Sequence, residues 1–254
     1  MKILMTNDDG YDAGGVLALE SAFSQAGHDV YVCAPDSQRS ANSHCISMHT
    51  GVQIRKVKEH HYMCSGTPAD CILFFLGNHM MEIPDLVISG INLGFNCGTD
   101  IVYSGTVAAA REAALHGIPS LAISLEDPSY KGCNLDFSPA VKFLCDNFDA
   151  LLPFCSGKSF LNINVPRNPR PGFKVGKVCF MDYKDNFVPG ADASEAEDIH
   201  LDISEWGHPE LMGDGCGDSD FELVHEGWVS VTPLMVLPDM DRGKAGVLEQ
   251  LGRT

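Results

Sequence analysis

"KILMTNDDG" (residues 2–10) decides how the rest of the chain is read. "KILMT" (2–6) reads as a buried parallel strand. The strand ends in two adjacent carboxylates, Asp8 and Asp9, and then in Gly10, which permits a turn. Like charges that close repel, and each prefers water. A metal ion, the amides of a helix N-terminus or solvent must neutralise them. The plain alternative is a turn in which Asp8 or Asp9 caps the next helix.

Working outward, Val16, Leu19, Phe23 and Ala26 recur at helical spacing, and Gly27 is a helix stop. "DVYVCAP" (29–35), "DLVISG" (85–90) and "SLAIS" (120–124) read as further buried strands, with "VQIRKV" (52–57) and "HYMCSG" (61–66) as short strands beside them. "TVAAAREAALHG" (106–117) is a small-residue helix able to pack closely on a sheet. Strand and helix in alternation predict an α/β fold: a Rossmann-like, doubly wound, mostly parallel sheet between helical layers, with ligands at the carboxyl ends of the strands.

The bulk properties bound the function. The chain has 254 residues, 44% hydrophobic and 20% charged, enough for a sizeable core. Its 34 acidic against 17 basic residues give a net charge of −17, a field that repels nucleic acid duplexes and anionic membranes. After Met1 and Lys2 only four residues precede Asn7, too few for a signal-peptide core, and no apolar run approaches a membrane span, so a cytoplasmic protein is expected. The ten cysteines are irregularly spaced and never form C-x-x-C, which predicts reduced thiols and no structural zinc.

The second half reads differently. "SFLNINVP" (159–166) and "GWVSVTPLMV" (227–236) are β-rich, while Asp182 to Glu226 holds fourteen acidic residues and one lysine, a projecting arm or loop that carries much of the negative charge. The division expected is a catalytic core over 1–180 and a C-terminal arm with a closing strand over 181–254. His60 and His61 are expected in a solvated turn, and Trp206 and Trp228 in the arm or core.

The loops expected at the carboxyl edge carry the chemistry. "DSQRSANSHCIS" (36–47) and "INLGFNCG" (91–98) are rich in hydroxyls and amides, and they join Asp8 and Asp9 with a serine such as Ser40 and with Asn92 or Asn96. Such oxygen ligands suit magnesium, manganese or calcium. Each Ser or Asn has the bland role of satisfying turn backbone as well. Ser104, Gly105 and Thr106 stand at a helix start, where unpaired amides and two hydroxyls would suit a phosphate; N-capping is the structural alternative. "SGTPADC" (65–71) is a near-ideal helix start, with Thr67 as cap, Pro68 next and Asp70 third. Neither G-x-x-x-x-G-K-[ST], G-x-G-x-x-G nor G-x-S-x-G occurs, which disfavours a P-loop, a standard dinucleotide site and a hydrolase elbow.

Five motifs in order, "KILMTNDDG", "APDSQRSANSHCIS", "SGTPADC", "DLVISGINLGFN" and "YSGTVAAAREAALHGIPSLAIS", together resemble the survival protein SurE family of metal-dependent 5′/3′-nucleotidases, and "GWVSVTPL" resembles its closing strand. The resemblance implies one divalent cation held by Asp8, Asp9, Ser40 and Asn92, and a nucleotide substrate faced by Asn96, Ser104, Gly105 and Thr106. It implies phosphate release from nucleoside monophosphates, with some action on short polyphosphate, by direct attack of water with Asp8 or Asp9 as base; a phospho-aspartate route is the other chemistry. It also implies a C-terminal β-hairpin arm and an exchanged C-terminal element that build homodimers or homotetramers. The acidic segment shows no equivalent of the family's aromatic-rich arm. A non-catalytic nucleotide- or phosphate-binding sensor is the competing function.

Overall fold

The computed structural model describes residues 1–80, 82–127, 136–183, 186–189, 201–205, 210–212, 217–238 and 244. Trp206, much of the acidic segment and the expected exchanged C-terminal element lie outside the described residues. In chain order the strands are β1 (Lys2–Thr6), β2 (Asp29–Pro35), β3 (Ile54–Lys58), β4 (His61–Cys64), β5 (Leu86–Leu93), β6 (Ser120–Leu125), β7 (Ser159–Val165), β8 (Phe173–Val175), β9 (Met181–Asp182), β10 (Asn186–Pro189), β11 (Leu201–Glu205), β12 (Glu210–Leu211) and β13 (Val229–Met235). The helices are α1 (Gly14–Gln25), α2 (Pro68–Gly77), α3 (Asp100–Tyr103), α4 (Gly105–Leu115), α5 (Ser138–Leu151) and α6 (Asp220–His225).

Nine strands form the main sheet in the order β3-β4-β2-β1-β5-β6-β7-β13-β8. The run from β4 to β7 is parallel, β3 is antiparallel at one edge, and β13 returns antiparallel to β7. Its parallel strands are buried on both faces, which is why they read as continuous apolar runs. One face packs α1 and α5 through Val16, Leu19, Phe23 and Phe148. The other packs α2 and α4, where Ala109 and Ala113 let α4 approach closely. The result is the expected three-layer α/β sandwich. β10 and β11 pair antiparallel as a separate two-stranded sheet.

The helix starts follow local chemistry. Thr67 and Asp70 form a reciprocal capping box at α2, worth about 1 kcal/mol. α1 stops where Gly27 takes φ +87°, a conformation that favours glycine. Neither Asp8 nor Asp9 caps α1, whose N-cap is Ala13 with no side-chain bond.

One expectation is corrected. His60 lies in the turn before β4, but His61 is buried in that strand, with Nε2 2.8 Å from the Tyr11 carbonyl and Nδ1 3.3 Å from the Glu20 carboxylate. With an oxygen facing each ring nitrogen, the imidazole is accommodated in an interior position, and sequence alternation alone did not show which face it takes. Trp228 is half-buried under the cations of Arg170 and Lys174.

Strand order reverses between β1 and β5, which flank each other although β2 follows β1 in the chain. That reversal opens a crevice at the carboxyl ends of β1 and β5. Gly15, at the start of α1, lies so close to β5 that an added Cβ would sit 2.2 Å from the Ile91 carbonyl oxygen. Gly15→Ala is therefore expected to destabilise the fold by about 1–3 kcal/mol in urea melts. Gly77→Ala, with open space around it, should be neutral or stabilising by a few tenths of a kcal/mol. Equal melts for the two variants would contradict this packing.

Candidate active site

The crevice is built from the end of β1 outward. Asn7 is buried and closes the turn: its Oδ1 accepts the Gly10 N–H at 3.1 Å and its Nδ2 donates to the Gly10 carbonyl at 2.9 Å. Gly10 sits at φ +125°, which no other residue adopts readily. The turn sends the two carboxylates to different neighbours. Asp8 is 4% exposed, and its Oδ1 accepts the Thr106 hydroxyl at 2.6 Å. Asp9 is half-buried beside the end of β5.

Both acids are pushed up. Burial raises Asp8, opposed by the Thr106 hydroxyl and by the amides of Asp8, Thr106 and Gly105. Burial, then repulsion from Asp8, raises Asp9 to about 7, opposed by the Leu93 N–H. The N-terminus of α4 thus faces a carboxylate. Ser104 caps that helix through the Val107 N–H at 3.1 Å, and at Gly105 an added Cβ would sit 3.1 Å from the Asp8 Cβ.

Ser40 reaches the same edge through its neighbour: the Arg39 N–H donates to the Asp8 carbonyl at 2.7 Å. The Ser40 side chain is exposed, and its hydroxyl accepts from Gln38 at 3.0 Å. The loop that carries it is pinned at several points. Arg39 reaches Asp36 and the Ser65 carbonyl, His44 Nε2 lies 2.7 Å from Glu112 on α4, and the Ser47 N–H and hydroxyl both donate to Asp70 at 2.8 Å. Burial opposes ionisation of Glu112, but hydrogen bonds and charge from His44 and His116 hold it below its usual value.

Asn92 follows a bulge in β5, where the register with β6 shifts between Ser89 and Asn92. Gly90 carries the bulge: an added Cβ would meet the Ile123 carbonyl oxygen at 2.3 Å. The Asn92 Nδ2 donates to the Leu93 and Gly94 carbonyls at 3.3 and 2.9 Å, which leaves its Oδ1 for another partner. Asn96 is buried in the next loop, with its Nδ2 2.9 Å from the Ser124 hydroxyl. The structure therefore joins Asp8 directly to Thr106 and Gly105, and sets Asp9 beside the strand end that carries Asn92. Asn96 is held over β6 and β7 instead.

Among the described residues no three His, Cys, Asp or Glu side chains converge on a metal-binding geometry. A cation between Asp8 and Asp9 must complete its shell with hydroxyl, amide or water oxygens. Ser40 and Asn92 offer such oxygens, so the donor set fits a hard divalent cation and suits thiophilic metals poorly.

The family model described as survival protein SurE matches residues 3–185. This chain belongs to the survival protein SurE family. It is 39% identical to the 5′-nucleotidase SurE of Pelotomaculum thermopropionicum, covering 92% of this chain and 89% of that one. It is 35% identical to the 5′-nucleotidase SurE of Synechococcus elongatus, covering 92% and 93%. The crystal structure of the SurE protein from Aquifex aeolicus superposes with a TM-score of 0.79 at 32% identity, over 99% of this chain and 100% of that chain.

Several residues that shape this SurE crevice carry no sequence signal of their own. Asn7 was hidden beside the acidic pair, Glu112 in an alanine-rich helix, and Asn162 and Asn164 in an apolar strand. Alternation in "SFLNINVP" was the available hint, since two amides two residues apart share one face.

The raised Asp9 has a sign that can be measured. Between about pH 4 and about 7 the unfolded chain ionises Asp9 while the fold keeps it protonated. Its contribution therefore makes the chelator-treated protein lose stability as pH rises through that window. Carboxyl-carbon NMR should show an Asp9 titration near 7, moved downward in Asp8→Asn. An unmoved Asp9 would exclude Asp8 repulsion as a cause.

Proposed function

We propose that this protein is a metal-dependent 5′-nucleotidase that hydrolyses nucleoside monophosphates to nucleoside and phosphate. The observation that carries the reading is the Asp8–Asp9 pair at the strand-order reversal, set against the N-terminus of α4. The relatives named 5′-nucleotidase SurE support it.

Asp8, Asp9, the Ser40 hydroxyl and the Asn92 Oδ1 would hold one divalent cation, Mg, Mn or Ca. When bound, it offsets the paired negative charge and draws electron density from phosphate oxygens. Asp8 has one oxygen tied to Thr106, so Asp9 is the better placed of the two to accept the proton of the attacking water. Asn96, Ser104, Gly105 and Thr106 would orient the phosphate. The Ser124 hydroxyl donates as readily as it accepts, so Asn96 can turn its NH2 toward a phosphate and keep that contact. Activity on 3′-nucleotides and short polyphosphate belongs to the same reading. So does a homodimeric or homotetrameric assembly, consistent with the exposed Val178, Phe180 and Met212.

The test is phosphate release from 5′- and 3′-nucleoside monophosphates, polyphosphate and p-nitrophenyl phosphate, with magnesium, manganese or chelator. Cation-dependent release from the 5′-monophosphates is expected, and Asp9→Asn should lower turnover about 100-fold or more while the protein stays folded. Nucleotide binding without release under any cation would favour the sensor. Because the Asp9 proton must leave, cation affinity should rise with pH up to about 7 and then level off, with proton uptake by buffer visible in calorimetry. Light scattering at micromolar concentration should give a dimer or tetramer mass; a monomer would contradict the assembly.

A further inference from the structure

Two buried amides on β7 hold the main chain of Asn96. Asn164 accepts the Asn96 N–H on Oδ1 at 2.8 Å and donates from Nδ2 to the Asn96 carbonyl at 3.1 Å. Asn162 donates to the same carbonyl at 2.8 Å. The polarity of a peptide group is fixed, so these three bonds also fix which atom of each amide is oxygen and which is nitrogen. One strand side chain thus pairs with both main-chain groups of a loop residue, as a neighbouring strand would.

The arrangement is poor design for stability alone. Asn162 and Asn164 are fully buried in a strand flanked on both sides, between Leu161, Ile163 and Val165. Among the described residues the Asn162 Oδ1 has no partner at all, an unmet acceptor in the interior. Ser124 faces Asn164 across the β6–β7 register and binds the Asn96 side chain, so three side chains from two strands converge on one loop residue. Two residues on, the same loop is held again: both Asp220 carboxylate oxygens accept the Gly98 N–H, at 3.1 and 3.0 Å.

We infer that Asn164, assisted by Asn162, is a positioning residue for phosphate release, acting by fixing the main chain of Asn96 so that its side chain meets the phosphate. The inference rests on the reading above in which Asn96 faces substrate. Asn164 and Asn162 do not touch the reacting atoms in this scheme; they limit where Asn96 can sit.

The experiment is a double-mutant cycle on Asn164→Ala and Asn96→Ala, with kcat and KM measured for one nucleoside 5′-monophosphate at saturating cation. Asn162→Ala and Asn164→Asp serve as further variants, the last keeping the shape and the acceptor for the Asn96 N–H. Asn164→Ala should lose about 10- to 100-fold in kcat with a smaller change in KM. The same substitution should cost no more than about twofold when Asn96 is already alanine. Asn164→Asp should recover part of the loss. If the Asn164 effect multiplies unchanged with that of Asn96→Ala, the positioning role is wrong while the functional reading stands. If the unaltered protein releases no phosphate, or Asn96→Ala is fully active, the functional reading fails and this proposal with it. Failure of all three β7 variants to fold would overturn the positioning role, because the amides would then serve the fold alone.

Discussion

Two carboxylates forced together at one strand end are the constraint to which the rest of the crevice answers. Asp8 turns inward, where the Thr106 hydroxyl and the positive pole of α4 offset a buried negative charge. Asp9 turns toward β5 and is left with a repelling neighbour and one main-chain N–H. Gly10 and Asn7 let the chain turn sharply enough to part them, and Gly105 lets α4 come within van der Waals distance of Asp8.

The site is also held from outside the strand ends. The Ser40 loop crosses the sheet edge and is tied to α2 through Asp70 and to α4 through Glu112. Both acids are buried and sit on helices of the α2–α4 layer, so the loop is fixed to the same layer that receives Asp8. The capping residue Asp70 therefore serves two ends: it starts α2 and accepts two bonds from Ser47. A signature that reads as purely local becomes an anchor for the functional loop.

Much of the architecture was legible before any coordinates. Buried strands read as apolar runs because parallel strands are covered on both faces, and α2 and α4 start where Thr67 and Ser104 predict. The acidic pair, the hydroxyl-rich loop and Asn92 were legible because residues of that chemistry cluster after strands. His61 was misread because a pair of histidines among lysines and glutamates looks solvated, and only its pairing with Tyr11 and Glu20 shows an interior position. Asn162 and Asn164 passed as ordinary strand residues, since their partner is 66 to 68 positions away in the chain.

The sequence by itself determined the α/β class, the main strands with the helices α1, α2 and α4 between them, though not α5, and which loops would carry oxygen-bearing side chains. These follow from periodicity, capping and composition, which act over a few neighbouring residues. Tertiary structure alone decided that Asp8 faces Thr106, that Asp9 is pushed to about 7, and that Asn96 is clamped by β7. Each of these depends on burial and on contacts between residues far apart in the chain, and both exist only once the sheet has assembled.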